Sequence, residues 1–516
     1  MKPGERLAVI DLGSNSFRLV FFMAGDGWWR RTDEIYEPVR IGEGLAASGE
    51  LGERPVARAL ATLEVFAHFC RASGLDEQHV DAVATSAIRD ARNAEEAFLA
   101  PARERFPGAI RVLSREQEAY YAYLAAVNST TLEQGCVLDL GGGSLQLLRV
   151  DDRLPRQCGS WRVGTVLMSE RYLPVNGPPK RKQLDELQCH VTEELSQARW
   201  LEQLGGEGGR LVGLGGTVRN LAAAAQRAAE LPSIGVQGMV IERDALQELV
   251  ARLAELPARE RATVPGIKPA RADIILAGAI VVQSVLEAGG FESLEVTEAG
   301  LREGVFFERL LGGTPGGHGR PPMFDDVRRT SVLNLARQYG VDAAHTQHVA
   351  TLALGMFEEL AALGLHDGDA RERELLWAAC MLHDIGMSID YDDHHKHSRY
   401  LILNGGLPGF APAETAIIAQ AARYHRKGMP SPGPMAPLFG AGDAGRLDRC
   451  ATLLRLAEDL ERSRDQLVRR ALLQEADGTV ELRLVAEGNS AVPSWAARRE
   501  GELFERAFRR ELRVAA

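Results

Sequence analysis

The stretches AVIDLGSNSFRLV (residues 8–20) and CVLDLGGGSLQLL (residues 136–148) repeat one pattern. Each reads as an apolar strand that ends in Asp, a tight turn of Gly and small polar residues, and a second apolar strand. Glycine lets backbone N–H groups approach a phosphate closely, and Ser and Asn side chains supply further donors. The repeat therefore predicts a duplicated domain that holds phosphate from two sides.

A third Gly-rich turn follows the apolar stretch RLVGL at residues 210–214. It consists of Gly215, Gly216 and Thr217, and a helix is predicted to follow from Val218. The free N–H groups and the dipole at a helix N-terminus favour an anion. One such turn is common in proteins, whereas three in order after strands indicate a phosphate site. The two Asp residues of the repeat suit Mg²⁺, which takes few protein carboxylates and completes its shell with water and phosphate oxygens.

The composition is typical of a globular protein with several domains. The 516 residues include 45% apolar residues and carry a formal net charge of −11. No long apolar run or signal peptide is present, so we expect a cytoplasmic protein without a membrane partner. The acidic balance argues against a nucleic-acid partner. Six scattered cysteines without a C-x-x-C pair predict reduced thiols.

The chain changes character at a Gly- and Pro-rich stretch, residues 312–322, which we interpret as a linker. The front half alternates strands and helices, with a helix around Arg58–Ala72 and a strand at residues 81–88. Nine of the twelve histidines lie at or beyond residue 318, in a back half with helical periodicity. The predicted elements there are helices at 326–339, 345–363, 370–383 and 413–424, a strand at 479–485 and a final helix at 500–514.

The three turns resemble those of the exopolyphosphatase and guanosine pentaphosphate phosphohydrolase family, which belongs to the actin-like ATPase superfamily. Four further stretches are similar to that family: SAIRDARN at 86–93, EQEA at 116–119, PARAD at 269–273 and GLREG at 300–304. The resemblance implies an α/β fold with two actin-like (ribonuclease H-like) domains flanking a cleft. An all-α HD-like domain and a small C-terminal α+β segment would follow.

The resemblance also implies limits for these domains. Domain I spans residues 1–125 and is completed by about 300–311, and domain II spans 126–305. The linker at 312–322 leads to the HD-like helical domain at 323–475 and to the C-terminal segment at 476–516.

Members of such a family remove terminal phosphate from inorganic polyphosphate, or the 5′ phosphate of pppGpp, by attack of water. A carboxylate must orient or deprotonate that water. The resemblance places the catalytic Glu at Glu118, whereas Glu116, two residues away on a helix, would face elsewhere. It places the divalent cation, expected to be Mg²⁺, on Asp139 and Asp11, with Gln146 as a weak further ligand.

Phosphate-binding roles fall by the same resemblance on the three turns and on three arginines. These residues are Ser14, Asn15, Ser16, Arg18, Arg89, Gly141, Gly142, Gly143, Ser144, Gly215, Gly216, Thr217 and Arg271. For Arg89 and Arg271, a surface salt bridge is the alternative interpretation. Glu303, in the GLREG stretch, is expected to be structural.

One residue departs from the family pattern. The second hairpin usually reads Gly-Gly-Gly-Ser-Thr-Glu, and here it reads Gly-Gly-Gly-Ser-Leu-Gln, so Gln146 replaces a carboxylate. An amide can coordinate or donate a hydrogen bond, but it carries no charge and cannot act as a base. Weaker metal binding, a changed rate or substrate, and loss of activity all remain open.

The back half resembles the HD phosphohydrolase superfamily at His348, His383 and Asp384. Glu458 stands where that superfamily has its last Asp. In one interpretation these four residues form a second metal-dependent phosphohydrolase site. In the other, the fold is retained for capture of a polyanion, because the C-terminal domains of this family extend the polyphosphate groove and support a homodimer.

Two functions outside phosphate hydrolysis also stay open. A kinase or ATPase of the same superfamily would need a catalytic Asp poised over an acceptor, and no acceptor motif is visible. A sensor that binds polyphosphate or (p)ppGpp without chemistry would account for Gln146.

Overall fold

The computed structural model describes residues 1–106, 108–202, 204–314, 316 and 319–515. Three residues of the predicted linker, 315, 317 and 318, lie outside the described part. The chain divides into two compact units, Met1–Val327 and Arg328–Ala516. The predicted domain limits themselves stay predictions.

The first sheet of the front unit has the strand order β3-β2-β1-β4-β5. Its strands are β1 Arg6–Leu12, β2 Phe17–Ala24, β3 Trp29–Glu37, β4 Val80–Ala84 and β5 Ile110–Val112. Strand β2 is antiparallel to both β1 and β3, whereas β4 is parallel to β1 and to β5. The first hairpin is therefore β1–β2, as the sequence predicts.

The second sheet repeats this arrangement and adds one edge strand. Its strands are β6 Gly135–Leu140, β7 Leu145–Asp151, β8 Leu154–Trp161, β9 Arg210–Leu214, β10 Val240–Glu242 and β11 Ser293–Val296. The order is β10-β11-β9-β6-β7-β8, with antiparallel β6–β7–β8 and parallel β6, β9 and β11. Asp11 lies opposite Arg18 in β2, and Asp139 lies opposite Gln146 in β7. The duplication is therefore real, and it places the two Asp residues at equivalent positions.

Eleven α-helices of the described front unit surround the sheets. They are α1 Leu45–Ser48, α2 Glu53–Ala72, α3 Ser86–Asp90, α4 Ala100–Arg105, α5 Arg115–Val127, α6 Thr165–Tyr172, α7 Arg181–Leu195, α8 Gly216–Ala228, α9 Arg243–Ala254, α10 Ile275–Gly289 and α11 Leu301–Leu310. A π-helical turn, Glu95–Leu99, runs into α4.

Helices α5 and α11 share one core with the inner faces of both sheets. Val9 and Phe22 of the first sheet, Val137 of the second and Phe306 of α11 belong to this cluster. A Cβ atom on Gly304 would lie 1.9 Å from the carbonyl oxygen of Tyr121 in α5. Glycine at position 304 therefore permits the two helices to approach closely.

The predicted strand at residues 81–88 is wrong in its second half. Strand β4 ends at Ala84, and Ser86–Asp90 form α3, in which the N–H groups of Ile88 and Arg89 donate to the Thr85 carbonyl. A short apolar run has no periodicity that separates a strand from a buried helical turn. The correction matters because α3 turns Ser86 toward the first hairpin.

The back unit is mainly helical, as predicted. Its helices are α12 Val327–Gln338, α13 Ala343–Ala362, α14 Ala370–Leu382, α15 His394–Gly405, α16 Pro412–Tyr424, α17 Asp443–Leu460, α18 Ala491–Arg498 and α19 Gly501–Phe508. The four predicted helical stretches correspond to α12, α13, α14 and α16. Within the described residues, no helix combines the length and apolarity needed to cross a bilayer.

A three-stranded sheet closes the back unit, in the order β12-β13-β14. Its strands are β12 Val468–Ala476, β13 Thr479–Ala486 and β14 Leu512–Val514. The predicted strand at 479–485 corresponds to β13, whereas β12 was not predicted. The predicted helix at 500–514 is wrong at its end, because Arg509 adopts a left-handed conformation with φ 55° and terminates α19 before β14.

Candidate active site

The three Gly-rich turns of the front unit meet around one cavity, at the carboxyl ends of β1, β6 and β9. Most residues predicted for the site line it: Asp11, Ser14, Asn15, Ser16, Arg18, Glu118, Asp139, Gly141, Gly142, Gly215, Gly216 and Arg271. The ends of parallel strands and the N-termini of the following helices converge there, which is where α/β folds bind ligands. The structure therefore brings together the three turns that the sequence pattern singled out.

Five predicted residues do not line the cavity. Gly143 lines an adjoining pocket behind the second turn. Ser144 and Thr217 are buried beneath their turns. Arg89 and Gln146 contact other side chains of the site and do not reach the cavity wall. These residues position the site rather than form its surface.

Glu118 extends from the first turn of α5 into the cavity and is 5% exposed. Arg89 donates a hydrogen bond of 2.7 Å to its Oε2 atom. Burial raises the pKa of Glu118 above its ordinary value, because the loss of hydration outweighs the attraction of Arg89. Glu116, in contrast, accepts from the hydroxyl of Ser114 at the exposed start of α5.

Asp139 and Asp11 end β6 and β1 on facing sides of the cavity. Burial raises the pKa of Asp139 to about 8, and the negative charges of Glu118 and Asp11 add to this shift. Burial also raises the pKa of Asp11, although Arg302, whose Nη1 atom lies 3.4 Å from Asp11 Oδ2, opposes the shift. Asp139 therefore needs nearby positive charge to stay ionised at neutral pH.

Four arginines line the same cavity: Arg18, Arg219, Arg271 and Arg302. The sequence prediction omitted Arg219, on the first turn of α8, and Arg302, on the first turn of α11. Burial lowers the pKa of Arg219 to about 10, and the neighbouring cations Arg302 and Arg18 add to this shift. A cavity that crowds guanidinium groups in this way favours an anion with several oxygens.

Arg271 lies directly over the N-terminus of α8. A Cβ atom on Gly216 would lie 2.0 Å from Nη2 of Arg271, so the guanidinium fills the space that a side chain would take. Nη1 of the same arginine lies 3.5 Å from the hydroxyl of Thr217. The first turn of α8 and one arginine thus present positive charge to the same part of the cavity.

Ser14 connects the first turn to α3. Its hydroxyl lies 2.9 Å from that of Ser86 and accepts a hydrogen bond from the Ala87 N–H. Thr85 and Ser86 both line the cavity, as does Thr165 at the start of α6. None of these three polar side chains was among the predicted site residues, because none lies within a Gly-rich turn.

Gln146 is buried, and its Nε2 atom donates to the hydroxyl of Ser144 at 2.7 Å. Its Oε1 atom has no hydrogen-bond partner. Because Gln146 lies opposite Asp139 in the β6–β7 ladder, a carboxylate there would stand beside a carboxyl group whose pKa is already raised. The amide removes one negative charge from this neighbourhood.

In the back unit, the structure corrects one predicted metal ligand. Nε2 of His348 donates a hydrogen bond of 2.9 Å to the Val468 carbonyl oxygen, and His348 does not join the other three residues. His345, one turn earlier on α13, lies there instead, with Nε2 3.0 Å from Glu458 Oε2. His383, Asp384 and Glu458 do lie together. Helix geometry places positions 345 and 348 on overlapping faces, so spacing alone did not separate them.

Comparison with known proteins agrees with this fold. The sequence model of the Ppx/GppA phosphatase family matches residues 32–312, and the model of domain III of that family matches residues 327–491. The chain belongs to the Ppx/GppA phosphatase family. Membership supports a phosphohydrolase as its function, consistent with the arginines that line the cavity.

Solved structures give the same result over part of the chain. The Aquifex aeolicus member of the Ppx/GppA family is 30% identical, with a TM-score of 0.51 over 60% of this chain and 98% of that one. An exopolyphosphatase from Cytophaga hutchinsonii is 22% identical, with a TM-score of 0.55 over 61% of this chain and 100% of that one. The second similarity supports the fold alone.

Proposed function

We propose that this family member hydrolyses the terminal phosphoanhydride bond of inorganic polyphosphate or of the 5′ phosphate chain of pppGpp. One observation carries the proposal: a single cavity holds a buried glutamate, two aspartates and four arginines beside three Gly-rich turns. Such a cavity offers cations to phosphate oxygens and a carboxylate to the attacking water. Phosphoryl transfer depends on this combination of positioning and charge stabilisation.

We assign the general base to Glu118. A carboxylate with a raised pKa accepts a proton more readily near neutral pH than one with an ordinary pKa. Arg89 fixes the orientation of this carboxylate through its hydrogen bond to Oε2. The arginines that line the cavity would then hold the terminal phosphate, with the N–H groups of the glycine turns as further donors.

The donor set of the cavity fits a magnesium ion. Mg²⁺ prefers one or two carboxylates and completes its shell with water and phosphate oxygens. Asp139 and Asp11 would hold it, and its charge would offset the burial that raises their pKa values. The ion would supply charge neutralisation at the terminal phosphate.

The direct test is phosphate release from long-chain polyphosphate and from pppGpp, each with Mg²⁺ present. We expect Glu118→Gln to lower kcat by about 10²- to 10⁴-fold while substrate binding persists. The amide still accepts the hydrogen bond from Arg89, so the fold of the site is preserved. Glu116→Gln is the matched control, two residues away on the same helix, and should leave kcat unchanged.

Other results would support different functions. Tight binding without phosphate release by the wild-type protein would indicate a sensor, the alternative that Gln146 favours. Release that survives Glu118→Gln but is lost in both His383→Ala and Asp384→Ala would move catalysis to the back unit. Comparison of the two substrates decides between polyphosphate and pppGpp.

A further inference from the structure

Two arginines of the cavity, Arg219 and Arg302, were not among the residues predicted for the site. Arg219 lies on the first turn of α8 and Arg302 on the first turn of α11, and both line the cavity together with Asp139 and Asp11. The N-terminal end of a helix carries positive charge from its free N–H groups. Each guanidinium therefore adds to a helix end that is already positive.

Arg219 is held by the backbone and not by a carboxylate. Its Nη1 atom donates a hydrogen bond of 2.6 Å to the carbonyl oxygen of Glu298. The Glu298 N–H donates to the side chain of Gln237 at 3.0 Å, and the Glu298 carboxylate accepts from the Val236 N–H at 2.8 Å. Across the part of the chain that the structure describes, no carboxylate oxygen lies within 4.0 Å of the Arg219 guanidinium nitrogens. The guanidinium is therefore fixed in place without a paired counter-charge.

Arg302 has an unmet donor in the same cavity. It is 6% exposed, and its Nε atom is buried without a hydrogen-bond partner among the described residues. Its Nη1 atom lies 3.4 Å from Asp11 Oδ2, which is longer than a normal hydrogen bond between charged groups. Burial lowers the pKa of Arg219 to about 10, and the charge of Arg302 adds to this shift. Glu303 opposes the shift, but its carboxylate accepts from the Gly300 N–H at 2.8 Å. Unmet buried donors and adjacent like charges are costly, and an oxyanion between them removes that cost.

The start of α8 also approaches Asp139. A Cβ atom on Gly215, directly before α8, would lie 3.2 Å from Asp139 Oδ1, which is closer than ordinary van der Waals contact. Burial raises the pKa of Asp139, and the charges of Arg219 and Arg302 oppose this shift. Gln146, opposite Asp139 in the β6–β7 ladder, adds no negative charge. The chain itself thus supplies positive charge beside Asp139.

We propose that Arg219 and Arg302 bind the terminal phosphate between them without a metal ion, so that this protein binds its phosphate chain when Mg²⁺ is absent. Guanidinium forks match phosphate oxygens and stay charged at neutral pH. Asp139 and Asp11 remain available for Mg²⁺, whose effect then falls on kcat and not on affinity. This assignment rests on the proposed function, in which the ligand of the cavity is a phosphate chain.

Equilibrium binding of tripolyphosphate to metal-free protein is the test. The parent is the full-length Glu118→Gln protein, which should bind this probe without releasing phosphate. Metal is removed with a chelator that is then dialysed away, elemental analysis confirms the removal, and Kd is measured with and without Mg²⁺. We expect the two Kd values to agree within about threefold, because arginines supply the attraction to phosphate.

Single substitutions assign the binding to these two arginines. Arg219→Gln and Arg302→Gln should each raise Kd in metal-free buffer by about 10- to 150-fold, the loss expected for one hydrogen bond to a charged group. Arg227→Gln is the matched control, because Arg227 is exposed on the same helix as Arg219, with Nη2 3.3 Å from the Ser233 hydroxyl. It should bind tripolyphosphate as the parent does. Circular dichroism confirms folding, and Arg219→Lys, which keeps the charge and should lose less affinity than Arg219→Gln, replaces a variant that fails to fold.

Three results would overturn the proposal. The first is a parent protein that binds tripolyphosphate only when Mg²⁺ is present. The second is Arg219→Gln protein that binds the probe as tightly as the parent in metal-free buffer, and the third is an equal loss of affinity in Arg227→Gln and Arg219→Gln. None of these readouts depends on phosphate release, and an enzyme that needs Mg²⁺ for binding can still hydrolyse its substrate. Failure here is therefore distinct from failure of the proposed function.

Discussion

Substituting Gly216 by Ala tests whether Arg271 acts on phosphate from its place over α8. The new Cβ atom would lie 2.0 Å from Nη2 and 2.4 Å from Cζ of Arg271. Ordinary van der Waals contact begins near 3.4 Å. The guanidinium must therefore move by about 1.4 Å, because the helix backbone that carries residue 216 is the more rigid partner.

The magnitude follows from the contact that Arg271 would lose. A hydrogen bond to a charged group contributes about 1.5–3 kcal/mol, which corresponds to about 10- to 150-fold in kcat/KM. A displacement of about 1 Å at a catalytic site has an effect of the same order. Stability should change little, because the clash involves the end of a flexible side chain and Ala is the better helix former.

The assay is kcat/KM for phosphate release, measured for Gly216→Ala, Arg271→Ala and the double variant. Both substitutions remove the same contact, the one between Arg271 and phosphate. The double variant should therefore lose no more activity than Arg271→Ala alone. Gly355→Ala serves as the control for replacing a helical glycine, since position 355 on α13 has open space around it.

Two outcomes would refute the reasoning. Full additivity of the two losses would show that Gly216 acts independently of Arg271. Unchanged kcat/KM in Gly216→Ala would show that the guanidinium does not need its observed position.

Two further predictions concern stability. Burial alone would raise the pKa of Glu414, but hydrogen bonds from Arg328 and Arg371 outweigh it and hold the pKa below 4.5. The stabilisation is therefore present above pH 4.5 and lost as pH falls through the lowered pKa. Glu414→Gln should lower the free energy of unfolding by about 1.5–3 kcal/mol at pH 7 and by progressively less in acid, as measured by chemical denaturation. An equal loss at every pH would contradict this prediction. Gln146→Glu should lower the free energy of unfolding by about 1–3 kcal/mol in the presence of a chelator, because it buries a second carboxylate opposite Asp139. Addition of Mg²⁺ should restore the lost stability. An unchanged melting temperature in chelator would contradict the proposed charge balance.

The fold of the front unit was predictable because its decisive features are local. A short strand, an Asp and a Gly-rich turn define each hairpin without knowledge of distant residues. Strand β12 was missed because it contains Ala, Leu, Gln and Glu, and a bulge between Val468 and Arg470 interrupts its alternation. Helices α15 and α17 were also absent from the predicted helical stretches.

The site was predictable where glycine or a family motif marked it, and not elsewhere. Arg219 carries no local signal, and the GLREG stretch that contains Arg302 does not say where its arginine points, so only the folding of α8 and α11 shows that both reach one cavity. The choice between His345 and His348 depends on the direction of α13 relative to Glu458, which is a tertiary property. Gln146 was recognised as unusual from sequence, but its bond to Ser144 required the structure.

Because α11 packs between the two sheets, the core around the N-terminal sheet cannot be completed in the order in which the chain is synthesised. Val305 and Phe306 belong to the core that covers Val9 and Phe22, and the rings of Phe22 and Phe306 stack with centroids 4.1 Å apart. During translation, the inner face of the N-terminal sheet stays without this cover until residue 310 has left the ribosome. The part of the front unit that is made first is therefore completed last, and a chain cut before Leu301 leaves its N-terminal sheet with an exposed apolar face.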